Sequence, residues 1–72
     1  MSGQLPQLVK MANQIAANMG AVSSEDAAAQ RTAEHLRKFW TPAMIQLLQD
    51  HLRAGGQDCS PLVHRALSAP PR

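Results

Sequence analysis

The 72-residue sequence predicts an all-α fold: a small three-helix domain with a short fourth helix near its C-terminal end. Apolar residues recur three and four apart along most of the chain, the spacing of one face of a helix. Two cap-plus-proline pairs, Thr41-Pro42 and Ser60-Pro61, mark helix starts. No segment reads convincingly as a strand.

Met1 to Gln4 reads as a loose start. Leu5, Leu8, Ala12, Ile15 and Met19 then draw one stripe, widened by Val9, Met11 and Ala16, and Gly20 supplies a stop. Pro6 falls in the first turn, where its missing N–H would have been unpaired anyway. Asn13 and Gln14 occupy mid-helix positions where Ala or Leu would favour the helix more, so they are kept for contacts or are simply solvated.

A second helix is expected after the connection Ala21 to Ser24, with Ser23 or Ser24 as N-cap and Glu25 and Asp26 complementing the helix dipole. Its face reads Ala29, Ala33, Leu36 and Trp40, with Ala28, Thr32 and Phe39 alongside. The Ala-rich front half allows another backbone to approach closely. Glu34 and Lys38 are spaced for an ion pair worth about 0.2 to 0.5 kcal/mol.

Pro42 ends that helix by pushing Thr41 out of the α region, and starts the third with Thr41 as N-cap. Ile45, Leu48 and Leu52, flanked by Met44 and Leu47, give the third helix a wide stripe from Pro42 to about Arg53, and Gly55-Gly56 terminates it. The last helix is expected over Leu62 to Leu67, before Ser68-Ala69-Pro70-Pro71-Arg72 trails off. The expected organisation is thus one helical domain over 1–72, with an ordered core over about 5–67 and a flexible tail at 68–72.

A chain this short buries only about 60% of the surface its unfolded form exposes, so a partner surface is a reasonable expectation. Hydrophobic residues are 44% of the sequence, yet it has one Phe, one Trp and no Tyr. The net charge of +2, from seven Lys or Arg against five Asp or Glu, is too weak to dictate a nucleic-acid or membrane partner. The lone Cys59 has no disulfide partner and no export signal leads the chain, so a cytoplasmic location is expected. The longest apolar run is far below the roughly 20 residues that span a bilayer.

No pattern of catalytic residues emerges. His35, His51 and His64 are not spaced at i, i+3 or i+4 on one helix, and a structural zinc site needs about four convergent ligands. His51 and Arg53 suit the exposed carbonyls at the end of the third helix, and His64 is read as a surface residue. Cys59 has no sequence-local base and is read as an inert thiol. A helix-turn-helix DNA reader is the alternative from another class, but the presumed reading helix offers only Gln46, Gln49, His51 and Arg53 and carries Asp50.

The elbow Phe39-Trp40-Thr41-Pro42 is therefore the feature of most interest. It reads as a hinge, with Phe39 and Trp40 filling the corner between two helices. Trp40 is a core residue and also a candidate anchor for a partner, since Trp and Arg are enriched at interface hot spots. His35, one turn before Phe39, is either a half-buried, satisfied histidine or part of a mixed polar and aromatic contact surface. Asn13, Gln14, His35, Arg37, Lys38, Trp40 and Met44 form the candidate partner-binding set, with Arg37, Lys38 and Met44 facing outward.

Three stretches together resemble a known family: Leu8-Val9-Lys10-Met11-Ala12-Asn13-Gln14-Ile15, His35-Leu36-Arg37-Lys38-Phe39-Trp40-Thr41-Pro42-Ala43-Met44, and Ser60-Pro61-Leu62-Val63 with Ala66-Leu67. The chain is similar to the small delta subunit of the soluble NAD-dependent molybdenum formate dehydrogenases. One departure is Ala43, where the family often has Arg after the elbow proline. The resemblance implies a non-catalytic subunit of a cytoplasmic complex that oxidises formate to CO2 and reduces NAD. It would dock on the alpha subunit, which carries molybdenum bis-pterin and iron–sulfur clusters, while other subunits carry FMN and further clusters. Binding no cofactor itself, the chain would stabilise or help mature that partner, as a resident subunit or as a transient assembly factor.

Overall fold

The computed structural model describes residues 4–21 and 24–68. The expected loose start at 1–3, the alternative cap Ser23 and the tail at 69–72 lie outside them. Four helices account for most of the described chain: α1 (Gln4–Gly20), α2 (Glu25–Phe39), α3 (Pro42–Arg53) and α4 (Pro61–Ser68). Gln4 and Ser68, assigned by the sequence to a loose start and a tail, are the first residue of α1 and the last of α4.

Local chemistry sets the helix ends. The Ser24 hydroxyl accepts from the Ala27 N–H at 3.3 Å, which caps α2. Thr41 does the same for α3, accepting from Met44 N–H at 3.2 Å. Trp40 and Thr41 are both extended, with ψ of 149° and 156°; for Thr41 the following proline excludes the α conformation. α3 closes in a Schellman motif: Gly56 N–H reaches back to the His51 carbonyl at 2.9 Å and Gly55 N–H to the Leu52 carbonyl at 3.2 Å. Gly55 and Gly56 take φ of 127° and 63°, a backbone that side chains resist.

The core draws on all four helices. Leu8, Ala12 and Ala16 of α1, Leu36 and Trp40 at the end of α2, Leu48 of α3 and Val63 of α4 form one buried cluster. Fully burying a Leu or Val side chain is worth about 1.5 to 3 kcal/mol, so these few residues carry much of the fold. Met44, Ile45 and Leu52 are only half-buried against them, which leaves α3 the least covered helix.

The small residues on the front of α2 receive α4. Ala29 and Ala33 pack against Ala66, with Leu62 beside them, so the short helix is part of the core. Buried Thr32 satisfies its hydroxyl on the Ala28 carbonyl at 2.7 Å. Arg65 ties α4 to the first turn of α2 through Glu25 at 3.3 Å and through Asp26. These carboxylates raise the Arg65 pKa, Asp26 most of all, but the pair is open to solvent and screened by it. Among the described residues ion pairs form there and between Asp50 and Arg53, not between Glu34 and Lys38.

A second tie joins α1 to the α3–α4 connection. The Asn13 side-chain amide donates to the Asp58 carbonyl at 2.7 Å, and its oxygen accepts from Ser60 N–H at 2.9 Å. Asp58 adopts a φ of 68°, a left-handed conformation that Asp tolerates better than most residues. His64, expected at the surface, is half-buried over this connection: a Cβ on Gly56 would fall 2.2 Å from its ring. Among the described residues no helix is long and apolar enough to cross a membrane.

Candidate partner-binding surface

The elbow separates two adjacent rings. Trp40 leaves α2 in an extended conformation that turns its indole inward, where it is 7% exposed. Phe39, the last residue of α2, is 68% exposed and does not fill the corner expected of it. One ring occupies the wedge between α2 and α3, and the other is left outside. Trp40 therefore serves the core, and little of it is open to a partner.

Phe39 is not loose in solvent. Its ring lies 4.7 Å from the half-buried His35 ring, centroid to centroid, at an interplanar angle of 43°. The two are four residues apart, the spacing at which helix side chains meet. Arg31 precedes His35 by another four, and Lys38 follows it by three. Arg31, His35, Lys38 and Phe39 thus share one strip along α2, away from the Ala29, Ala33 and Leu36 side. Arg37 is exposed but stands two residues from His35, about 200° around the helix, and so belongs to a different flank.

The remaining candidates are dispersed. Gln14 is exposed on α1, whereas Asn13 spends both ends of its amide on the 58–60 backbone and is an internal clamp. Met44, expected to face outward, is half-buried against the core. Arg31, Asn13's clamp and the Arg65 tie were not read from the sequence. Only Arg31 had a local signal, its i, i+4, i+8 register with His35 and Phe39.

His51, Cys59 and Ser60, three groups suited to catalysis or metal binding, are each constrained by their surroundings. His51 Nε2 donates to the Gln57 carbonyl at 2.8 Å, which places the ring proton on that nitrogen. Burial, with a smaller contribution from Asp58, raises the pKa of the half-buried Cys59 thiol and so disfavours the reactive thiolate. Open clefts of about 400 and 380 Å3 flank Asn13 on its two sides. Ser60 in the first caps α4 by accepting from Val63 N–H at 3.4 Å, and His51 in the second is held as described. Among the described residues no group of three or more His, Cys, Asp or Glu is placed to hold a metal ion.

No curated protein and no solved structure matches the chain. The family model described as "NADH-dependant formate dehydrogenase delta subunit FdsD" matches residues 7–67, which takes in α2, α3, all but the last residue of α4 and all but the first turn of α1. The chain therefore belongs to the FdsD family of formate dehydrogenase delta subunits.

Proposed function

We propose that this chain is a non-catalytic accessory subunit of a cytoplasmic NAD-dependent formate dehydrogenase, docking on the cofactor-bearing alpha subunit and stabilising it or assisting its maturation. The family match over residues 7–67 carries the reading. The surface supports it: α2 presents an exposed aromatic and unpaired cations, while Asn13, His51 and Ser60 in the clefts hold the fold together. The donor set does not fit the cofactors of such an enzyme. An iron–sulfur cluster takes about four thiolates, and the chain has the single Cys59. Molybdenum, iron–sulfur clusters and FMN belong to other subunits in this reading. The DNA-binding alternative gains nothing from α3, whose single Arg or Lys, Arg53, is paired with Asp50 at 3.4 Å.

The test is co-purification. Affinity capture of the tagged chain from cells that make the whole enzyme should recover the larger subunits, with this chain retained in active enzyme through size exclusion. Recovery only with cofactor-free alpha subunit would make it a transient assembly factor, and recovery with no enzyme subunit would refute the proposal.

A further inference from the structure

We infer that the outer strip of α2 is the docking surface, with Phe39 as its apolar anchor and Arg31, His35 and Lys38 as its polar rim, and that its occupant is an apolar pocket with a carboxylate-bearing rim on a larger subunit of the enzyme. The inference rests on the accessory-subunit reading and adds which face is used and what it fits.

Three observations meet on this strip. Phe39 is the most exposed large apolar residue among those described, at 68%, against 38% for Leu47 and 37% for Met11. Its tilted contact with the His35 ring favours one ring position, so docking forfeits less rotamer freedom than for a side chain without that contact. Charge then selects the partner. Arg53 and Arg65 are paired with Asp50 and with Glu25 and Asp26, whereas Arg31, Arg37 and Lys38 have no carboxylate partner among the described residues. Arg31 and Lys38 lie on the strip and Arg37 on another flank of the same helix, with one carboxylate, Glu34, among them; Lys10 on α1 is the other unpaired cation among the described residues. A pocket that buries a ring and offers carboxylates at its rim satisfies both features.

A second copy of this chain fits less well. Of its five carboxylates Glu25, Asp26 and Asp50 are already paired and Glu34 stands within the cationic strip itself, which leaves Asp58 alone to meet several cations. Nucleic acid would use the cations but leave Phe39 without an apolar site, and Glu34 would face the phosphates.

The experiment compares tagged wild-type, Phe39→Ala, Phe39→Leu and Lys38→Glu chains co-produced with the whole enzyme, reading enzyme retained per tagged chain and the melting temperature of each purified variant. Phe39→Ala should lower retention by about tenfold or more with the melt unchanged, as a truncated hot-spot aromatic does. Phe39→Leu should recover part of the loss, and Lys38→Glu should weaken retention more at low salt than at high salt. Wild-type levels of retention in Phe39→Ala would overturn the docking surface while leaving the accessory-subunit reading intact. Failure of the wild-type chain to retain any enzyme would overturn both. Concentration-dependent self-association that Phe39→Ala abolishes would make the occupant a second copy, and nuclease-sensitive retention would make it nucleic acid; either result overturns the pocket.

Discussion

The two long sides of α2 are built on opposite plans. Its inner side, Ala28, Ala29, Thr32, Ala33, Leu36 and then Trp40, is sealed: α4 lies on the alanines, the threonine hydroxyl is satisfied within its own helix, and the indole closes the corner. Its outer side, Arg31, His35, Lys38 and Phe39, leaves a large ring in solvent and cations without partners. Small residues serve the sealed side because they let a short helix approach closely. Long and aromatic ones serve the open side because they reach beyond the fold. In a chain with so few large side chains, two adjacent positions place one ring in solvent and the other in the core.

The strongest test of that separation is Trp40→Ala. Removing a buried Trp costs about 3 to 5 kcal/mol. A core in a domain this small supplies about 3 to 5 kcal/mol, so the loss matches the whole stability and the purified variant should be substantially unfolded by circular dichroism at 25 °C. The sealed and open sides would have to be redrawn if Trp40→Ala melted like wild type.

Ala33→Leu probes the seam with α4. Ala33 is 6% exposed against Ala66, and overpacking a filled site costs about 1 to 3 kcal/mol. The expected result is a denaturation midpoint shifted to lower urea with the slope unchanged. An unchanged midpoint would mean that the alanines leave slack, and that close approach is not why they are there.

Asn13→Ala should come next. It removes two hydrogen bonds to the 58–60 backbone, each worth about 0.5 to 1.5 kcal/mol net, and leaves the Ser60 N–H without its acceptor. Asn13→Asp keeps an acceptor for Ser60 but sets a carboxylate against the Asp58 carbonyl, so it should rescue little. Amide exchange at Ser60 reads the clamp directly and should quicken in both variants.

These sites differ in how legible they were. The caps Ser24, Thr41 and Ser60, the elbow proline and the glycine stop were readable because each acts within a few residues of itself. The alanine stripe on α2 announced a close neighbour for the same reason, although which helix would fill it was not stated. Phe39 was misread because, three residues after Leu36, it falls within reach of the inner face. Only the extended turn at Trp40 decides that the later ring takes the corner. The Asn13 clamp and the Arg65 tie span 45 or more and 39 residues, and nothing local signals such pairings. Of the partner-binding set, His35 and Lys38 share the open strip and Gln14 and Arg37 are exposed elsewhere, whereas Asn13, Trp40 and Met44 turn inward.

The finest distinction between sealed and open surface lies at Cys59, beside the Asn13 clamp. Burial favours its neutral thiol and raises its pKa above the ordinary 9.0, with Asp58 adding to the shift. A group whose pKa is raised on folding stabilises the fold at pH below its unfolded value, and that contribution is lost as pH rises through the folded value. Stability should therefore be flat across neutral pH as far as this group is concerned and decline above about pH 9, and Cys59→Ser should flatten the decline. The effect is small because the thiol is only half-buried, but alkylation amplifies it: at pH 8 iodoacetamide should label the native chain more slowly than the urea-unfolded chain, and Asn13→Ala should close part of the gap. Equal rates in native and unfolded protein would show that the connection from Asp58 to Ser60 opens freely, and that the sealed side ends at α2 and does not extend to the clamp.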